Sequence, residues 1–392
     1  MASARVISAD SHMMEPPNLW VDRVDNRLKD RAPRVIEGEG KAGHVFVGPG
    51  IRPFPVAGGF AAGRSGKELV DFVEKAEGYH AERHWDPAQR IKDQDIDGVC
   101  SEVLYTTLGM PLFSLDDAEL QAACFKAYND WLAEFCKHDP NRLIGVALIS
   151  LEDIADGTRE LQRVAGLGLK GAMIWGATPA DKPFWHHMYD PFWAAAAETG
   201  LPLSLHLITS GRRASKPRDE NRARPADSSF TRPYMNMIHE VQRSFTDIVL
   251  GGVMMRFPKL KIVSAENDTG WLPHYMYRLD HAFEKWGVQM AEPLEMKPSE
   301  YIRRQLWATF QDDPIGPMTW RFFGEDNYMW ASDFPHTDST WPHSQEVIAK
   351  NFAGVPKKVT KKITCDNAAK LYGIKFKRTA AASDGTAQRP DV

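Results

Sequence analysis

Short apolar runs recur along this chain, separated by longer stretches with helical spacing. Val6–Ala9, Val99–Tyr105, Leu143–Ile149, Gly171–Trp175, Leu203–His206, Lys261–Ala265, Gln305–Phe310 and Tyr328–Ala331 read as strands. Ala88–Asp95, Ala118–His138, Ile154–Ala165, Pro191–Glu198, Met235–Arg256 and Trp271–Trp286 read as helices between them, and Ser344–Asn351 and Pro356–Leu371 follow the last strand. On the first helix Arg90, Lys92 and Asp93 are expected to face outward. Strands alternating with helices predict an α/β fold with a parallel sheet, and the strand count predicts a (β/α)8 barrel.

Two stretches interrupt this rhythm. Residues 18–90 hold Pro33, Pro53, Pro55 and the run Ala57-Gly58-Gly59-Phe60-Ala61-Ala62-Gly63. Loops this long usually carry function or are disordered. This one is expected to be an insertion after the first strand that folds over the barrel mouth. It should contain short strands near Arg34–Ile36 and His44–Val47, and offer Trp20 or Phe60 to a substrate cavity. Thr209–Arg232 crowds Arg212, Arg213, Arg222 and Arg224 into one loop after the fifth strand. Guanidinium forks suit a carboxylate substrate, although a solvated loop has the same composition. Residues 1–375 are expected to form a single barrel domain, with a flexible tail over 376–392.

Bulk properties narrow the classes. A net charge of −4 offers no basic field for a nucleic acid. No apolar run approaches the ~18–20 residues that cross a bilayer, and no apolar leader precedes the first strand, so a membrane partner is not expected. The cysteines Cys100, Cys124, Cys136 and Cys365 show no paired spacing, which suits reduced thiols in a cytoplasmic protein. Trp271, Tyr275 and Trp286 on an outer helix predict an apolar face, and with it a homodimer or a dimer of dimers.

The candidate chemistry sits at strand ends. The first strand runs into Asp10-Ser11-His12 with Glu15 beyond, the fifth ends at His206, and the eighth runs into Ser332-Asp333-Phe334-Pro335-His336. Barrels build catalytic sites from the C-terminal ends of several strands. Asp10 and His12 alternate, so both face the barrel axis. Imidazole and carboxylate ligands suit zinc, manganese or iron, one or two ions per chain. Glu15 is a further candidate ligand or a brace for one. Asp333, beside a metal-bound water, could take its proton. His336 is either near substrate or part of the loop scaffold. His239 could turn back toward the mouth.

These motifs, with Glu266-Asn267-Asp268-Thr269-Gly270-Trp271 and Asp366-Asn367-Ala368-Ala369-Lys370-Leu371-Tyr372-Gly373, fall in an order that resembles the amidohydrolase superfamily. The similar branch is the one related to aminocarboxymuconate-semialdehyde decarboxylase, and the resemblance covers roughly residues 4–375. It implies a distorted TIM barrel, with Asp333 as the last-strand aspartate that contacts metal and water. It also places Arg278 near the substrate. Two positions depart from the pattern. Many members carry His-x-His on the first strand where this chain has Asp10-Ser11-His12. The decarboxylase relatives carry a histidine on the sixth strand where this chain has Glu266. That carboxylate could bind metal, act as acid or base, or pair with Arg278.

The first functional expectation is therefore a metal-dependent hydrolase that cleaves an acyl or C–C linked carbonyl bond of a small organic acid or acyl derivative. The absent sixth-strand imidazole favours it. The alternative is a metal-dependent, non-oxidative decarboxylase of an aromatic or unsaturated acid. A catalytically silent barrel acting as a binding protein is the third.

Overall fold

The apolar runs do pair side by side. In a computed structural model that describes residues 5–38, 43–75, 85–211 and 231–376, they form one parallel sheet. The chain also contains an antiparallel hairpin sheet, so the strands in chain order are β1 (Ile7–His12), β2 (Arg34–Glu37), β3 (His44–Gly48), β4 (Ile51–Pro55), β5 (Ser101–Tyr105), β6 (Leu143–Leu148), β7 (Gly171–Ile174), β8 (Leu203–His206), β9 (Ile262–Ala265), β10 (Leu306–Phe310) and β11 (Tyr328–Trp330). The parallel order is β1-β5-β6-β7-β8-β9-β10-β11, each strand beside its successor. Its edges meet just beyond the last strand. Asp333 N–H donates to the Asp10 carbonyl at 3.0 Å, and His12 N–H donates to the Phe334 carbonyl at 2.7 Å. The sheet is thus an eight-stranded parallel barrel with helices outside, and its strands are buried throughout, apart from a partly buried Trp307.

The insertion starts from an anchor on the barrel wall. Trp20 is fully buried, packs on Phe46 with ring centroids 5.4 Å apart, and donates its indole N–H to the Cys124 carbonyl at 3.2 Å. It braces the insertion against the helix Ala118–Cys136, and so does not supply the cavity wall expected of it. The β2-β3-β4 sheet contains one strand beyond the two expected. Pro53 and Pro55 obscured β4, but it is an edge strand, where a missing N–H is tolerated. The following turn, Ala57–Phe60, does reach the mouth. Ala62 N–H donates to the Pro335 carbonyl at 3.1 Å, and Thr337 donates its hydroxyl to the Gly58 carbonyl.

Several helices differ from expectation for local reasons. Met235–Arg256 is two helices, Thr231–Leu250 and Val253–Arg256, because Gly252 takes a left-handed φ of 72° at the break. Pro356–Leu371 contains a wide π-helical turn at Lys362–Asp366. Pro298–Gln305 and the short helices Ile315–Met318 and Trp320–Phe323 were not legible in the apolar pattern. The helix Pro87–Asp97 is inverted: it buries Arg90, Asp93, Gln94 and Asp97 while Ile96 is 58% exposed. Arg90 and Asp93 therefore face inward, contrary to the outward reading. Trp271 and Tyr275 are half-buried and spend their polar ends inside the molecule, Trp271 on the Asn267 carbonyl and Tyr275 on Thr246 and Gln242. Of the three aromatic residues expected at a partner surface, Trp286 alone is exposed, at 56%. The arginines at 212, 213, 222 and 224 and the tail from 377 lie outside the described residues.

Trp20→Ala should cost about 3–5 kcal/mol of unfolding free energy, as expected for deleting a fully buried aromatic side chain. Urea titration would measure it; a loss below ~1 kcal/mol would mean that the anchor is dispensable.

Candidate metal centre

Four strand ends converge on the barrel axis. His12 donates Nδ1–H to the Thr106 carbonyl at 2.7 Å, and His206 donates Nδ1–H to the Leu207 carbonyl at 2.9 Å. A carbonyl can only accept, so these contacts fix the proton on Nδ1 and leave a lone pair on each Nε2. The two Nε2 atoms face one another at 3.3 Å. Around them stand carboxylates. Asp10 Oδ1 is 3.6 Å from His12 Nε2 and 3.8 Å from His206 Nε2. Asp333 Oδ1 is 3.5 Å from His12 Nε2, and Glu266 Oε2 is 3.2 Å from His206 Nε2.

Neighbouring elements hold these groups in place. Thr309, on β10, donates its hydroxyl to Asp10 Oδ2 at 2.9 Å and accepts the Glu266 N–H at 2.9 Å. Gly176 lets the β7 loop pass under the His206 carbonyl; a Cβ there would lie 2.2 Å from that oxygen. Asp333 and Glu266 take left-handed φ angles of 57° and 54°, as do Asp268 at 52° and Ile208 at 69°. All four lie just past strand ends at the mouth. Such conformations cost of order 1–3 kcal/mol each in non-glycine residues, and they cluster where function requires them.

The electrostatics are unbalanced in one direction. Burial, then repulsion from Asp333, raises the Asp10 carboxyl well above its usual range. Burial raises Glu266 in the same way, with Asp333 and Asp10 adding to it. Burial also raises Asp333, against the opposing pull of His336. Burial lowers the His12 imidazole, with His336 and His206 adding to the effect, and brings His206 down to about 4. Every group is pushed toward its neutral form, while Asp10 Oδ1, Glu266 Oε2 and both Asp333 carboxylate oxygens are buried without a hydrogen-bond partner. Buried unsatisfied polar groups are costly, and a cation between two lone pairs and three carboxylates would satisfy all of them. The donor set fits a divalent metal. The groupings Asp10-His12-His206 and His12-Glu266-Asp333-His336 each have ligand atoms within 4.8 Å of one another, and both contain His12.

Other candidate residues sit differently. His336 stacks on His12 with centroids 3.9 Å apart, and its Nε2 hydrogen-bonds Thr107 Oγ1 at 3.0 Å. Its Nδ1 lies 3.1 Å from Asp333 Oδ1, and at 13% exposure its side chain is more open than those around it. Glu15 does not face the axis. It is fully buried and accepts from the Thr106 hydroxyl and from the N–H groups of Thr107 at 3.0 Å and Leu108 at 3.1 Å. That sets the loop carrying the His12 and His336 partners, a bracing role and not ligation. Arg278 is exposed, because Leu272, Met276 and Leu279 set the buried face of its helix. His239 is exposed and meets Gln242 at 3.3 Å. Neither reaches the cluster. The sequence reading missed Thr107, Thr309 and Arg90; Thr309 shares the strand-end signal, whereas the other two carry none.

Comparison with known proteins follows the same lines. Gamma-resorcylate decarboxylase of Rhizobium sp. (strain MTP-10005) is 28% identical over 257 residues, 63% of this chain and 76% of that enzyme. The match to the enzyme of the same name from Rhizobium radiobacter is also 28% but spans 58% of its length. Among solved structures, an amidohydrolase from Mycobacterium avium subsp. paratuberculosis K-10 superposes with a TM-score of 0.73 at 22% identity, covering 95% of this chain and all of that one. A dihydroxybenzoic acid decarboxylase from Polaromonas sp. JS666, with bound manganese and the inhibitor 2-nitroresorcinol, gives 0.64 at 18% identity over 94% of this chain and 97% of that one. These two share the fold. The amidohydrolase family model matches residues 78–374, which takes in His206, Glu266, Asp333 and their strands, and by that match the chain belongs to the amidohydrolase family of enzymes.

Proposed function

We propose that this enzyme is a manganese-dependent, non-oxidative decarboxylase of a small hydroxylated aromatic acid or a similar unsaturated acid. The observation that carries the metal is the convergence of two imidazole lone pairs on three buried carboxylates, each with at least one oxygen that no hydrogen-bond donor satisfies. The decarboxylases among its relatives support the reaction, and they favour it over the hydrolysis read from the sequence. Asp10, His12, His206 and Asp333 would hold the ion, with Glu266 as a further donor. The sharing of His12 by both donor groupings supports one ion per chain over two. Three carboxylates to two imidazoles favour manganese over zinc.

When bound, the ion would act as a Lewis acid on the substrate carboxylate and its neighbouring hydroxyl. The chain's own part is to orient the acid, exclude water and deliver a proton. The Ala57–Phe60 turn and the β11 loop cover the mouth. As the C–C bond breaks and CO2 leaves, the ring carbon must gain a proton. His336 is the residue assigned to that transfer, through Nδ1, because it is the most open imidazole of the cluster and Thr107 fixes its ring. It would take over the task of the imidazole absent from β9. The exposed Tyr277, Trp286 and Val288 support assembly through the outer face of this region, and the four free thiols suit the cytoplasm.

Three results are expected. With Mn2+, a panel of ortho-hydroxybenzoic acids should yield CO2, and in D2O the product should carry one deuterium at the carbon that held the carboxyl. Failure of these acids to yield CO2, with 18O from labelled water entering a new carboxylate when matched aryl esters or amides are offered instead, would replace this reading with hydrolysis. His336→Gln should cut turnover by ~10²–10⁴, the span for a lost proton donor, while Mn2+ affinity stays within a few-fold. An unchanged rate would remove His336 from the chemistry. Mn2+ binding should also release protons, read by calorimetry in buffers of differing ionisation heat. The imidazoles bind as neutral groups and contribute little. The raised carboxyls of Asp10, Glu266 and Asp333 must lose protons, so release should be largest at acidic pH and fade as pH rises. Release that does not grow as pH falls would contradict the assigned ligands.

A further inference from the structure

The inverted helix Pro87–Asp97 carries a buried charge that the catalytic cluster does not account for. Arg90 and Glu102 are each 3% exposed. Arg90 Nε donates to Glu102 Oε2 at 2.6 Å and Nη2 to Oε1 at 3.1 Å, a two-pronged pair across to β5. The same guanidinium has two further contacts. Nη1 donates to the His12 carbonyl at 2.8 Å, and Nη2 donates to the Phe334 carbonyl at 3.2 Å. Its plane lies over the Phe334 ring, 4.7 Å from the centroid, and Gln94 supports Glu102 Oε2 at 2.8 Å.

One carbonyl belongs to a ligand of the proposed centre and the other to the residue after a ligand. They are also the two backbones that meet where the barrel closes, since the Phe334 carbonyl accepts His12 N–H at 2.7 Å. The guanidinium therefore ties β5, β1 and the loop after β11 to one rigid plane, through the backbone of His12 and of the residue that follows Asp333. A lysine could carry the charge but not this fork, because only guanidinium presents several donors in one fixed plane.

We infer that Arg90, held by Glu102, is a positioning residue that sets the spacing of His12 and Asp333, and through it the affinity of the centre for its metal. This rests on the metal reading above. A purely structural ion pair makes a different prediction. Replacing both partners of a buried pair with apolar residues of similar size is often neutral for stability, whereas removing one leaves an uncompensated charge. The double variant Arg90→Met/Glu102→Leu separates the two roles.

The experiment compares wild type, the double variant and Arg90→Lys, all stripped of metal and titrated with Mn2+ by calorimetry, beside thermal unfolding of the metal-free forms. The double variant is expected to melt within a few degrees of wild type yet bind Mn2+ about 10–100-fold more weakly, the usual cost of losing a support behind a ligand. Arg90→Lys, which retains the charge, should also lose at least about tenfold. A folded double variant with wild-type affinity overturns the inference. If that variant does not fold, Arg90→Lys decides, and wild-type affinity in it overturns the inference equally. Failure of wild type itself to bind Mn2+ would instead overturn the metal reading.

Discussion

The barrel and its site depend on one seam. Asp333 N–H meets the Asp10 carbonyl and His12 N–H meets the Phe334 carbonyl, so the hydrogen bonds that close the sheet are made by the residues that face its axis or by their immediate neighbours. Closing the sheet and assembling the cluster are the same event. This explains why these side chains are so tightly buried. A parallel barrel has no free edge once the seam forms, and the residues at the closure cannot move apart without exposing backbone polar groups.

The seam also accounts for the balance of charge. Carboxylates gathered at a closure point repel one another, and burial raises their pKa values while lowering those of the imidazoles. Folding to this arrangement without a counter-charge is unfavourable. The hydrogen bond from Thr309 to Asp10, and those that His12 and His206 donate to the carbonyls behind them, fix orientation but add no positive charge on the axis. Arg90, a buried cation at the seam, directs its donors to Glu102 and to carbonyl oxygens, none of them to the carboxylates on the axis.

What was legible in the sequence follows from which signals are local. Eight strands and the strand-end residues Asp10, His12, His206 and Asp333 could be read because a buried strand is an apolar run and a polar residue at its end is conspicuous. Trp20 misled, since an aromatic residue in a long loop looks the same whether it lines a cleft or anchors the loop to a wall. Glu15 could be read only as a ligand or a brace, because the partners that make it a brace are the N–H groups of a loop some ninety residues away, which no spacing reveals. Arg90 was the hardest. Its helix buries a polar face and exposes Ile96, so hydropathy pointed the wrong way round; only the partners supplied by β5, β1 and the β11 loop make that face tolerable inside. Arg278 was expected near the substrate from the family resemblance, and His239 near the mouth from its place on the helix after the fifth strand, but both side chains are exposed.

The left-handed backbone at Glu266, Asp268 and Asp333 has a consequence for anyone who alters this protein. At each of these positions glycine or asparagine would relax the chain, and at Glu266 and Asp333 it would also remove a buried, raised carboxyl. The substitutions most damaging to the site are thus among those most comfortable for the metal-free fold. Directed evolution for heat resistance, scored on survival alone and in metal-poor medium, would drift toward them and return robust, inert barrels. Keeping metal present during selection would reverse that drift, because the ion then stabilises the very geometry the backbone strains to hold.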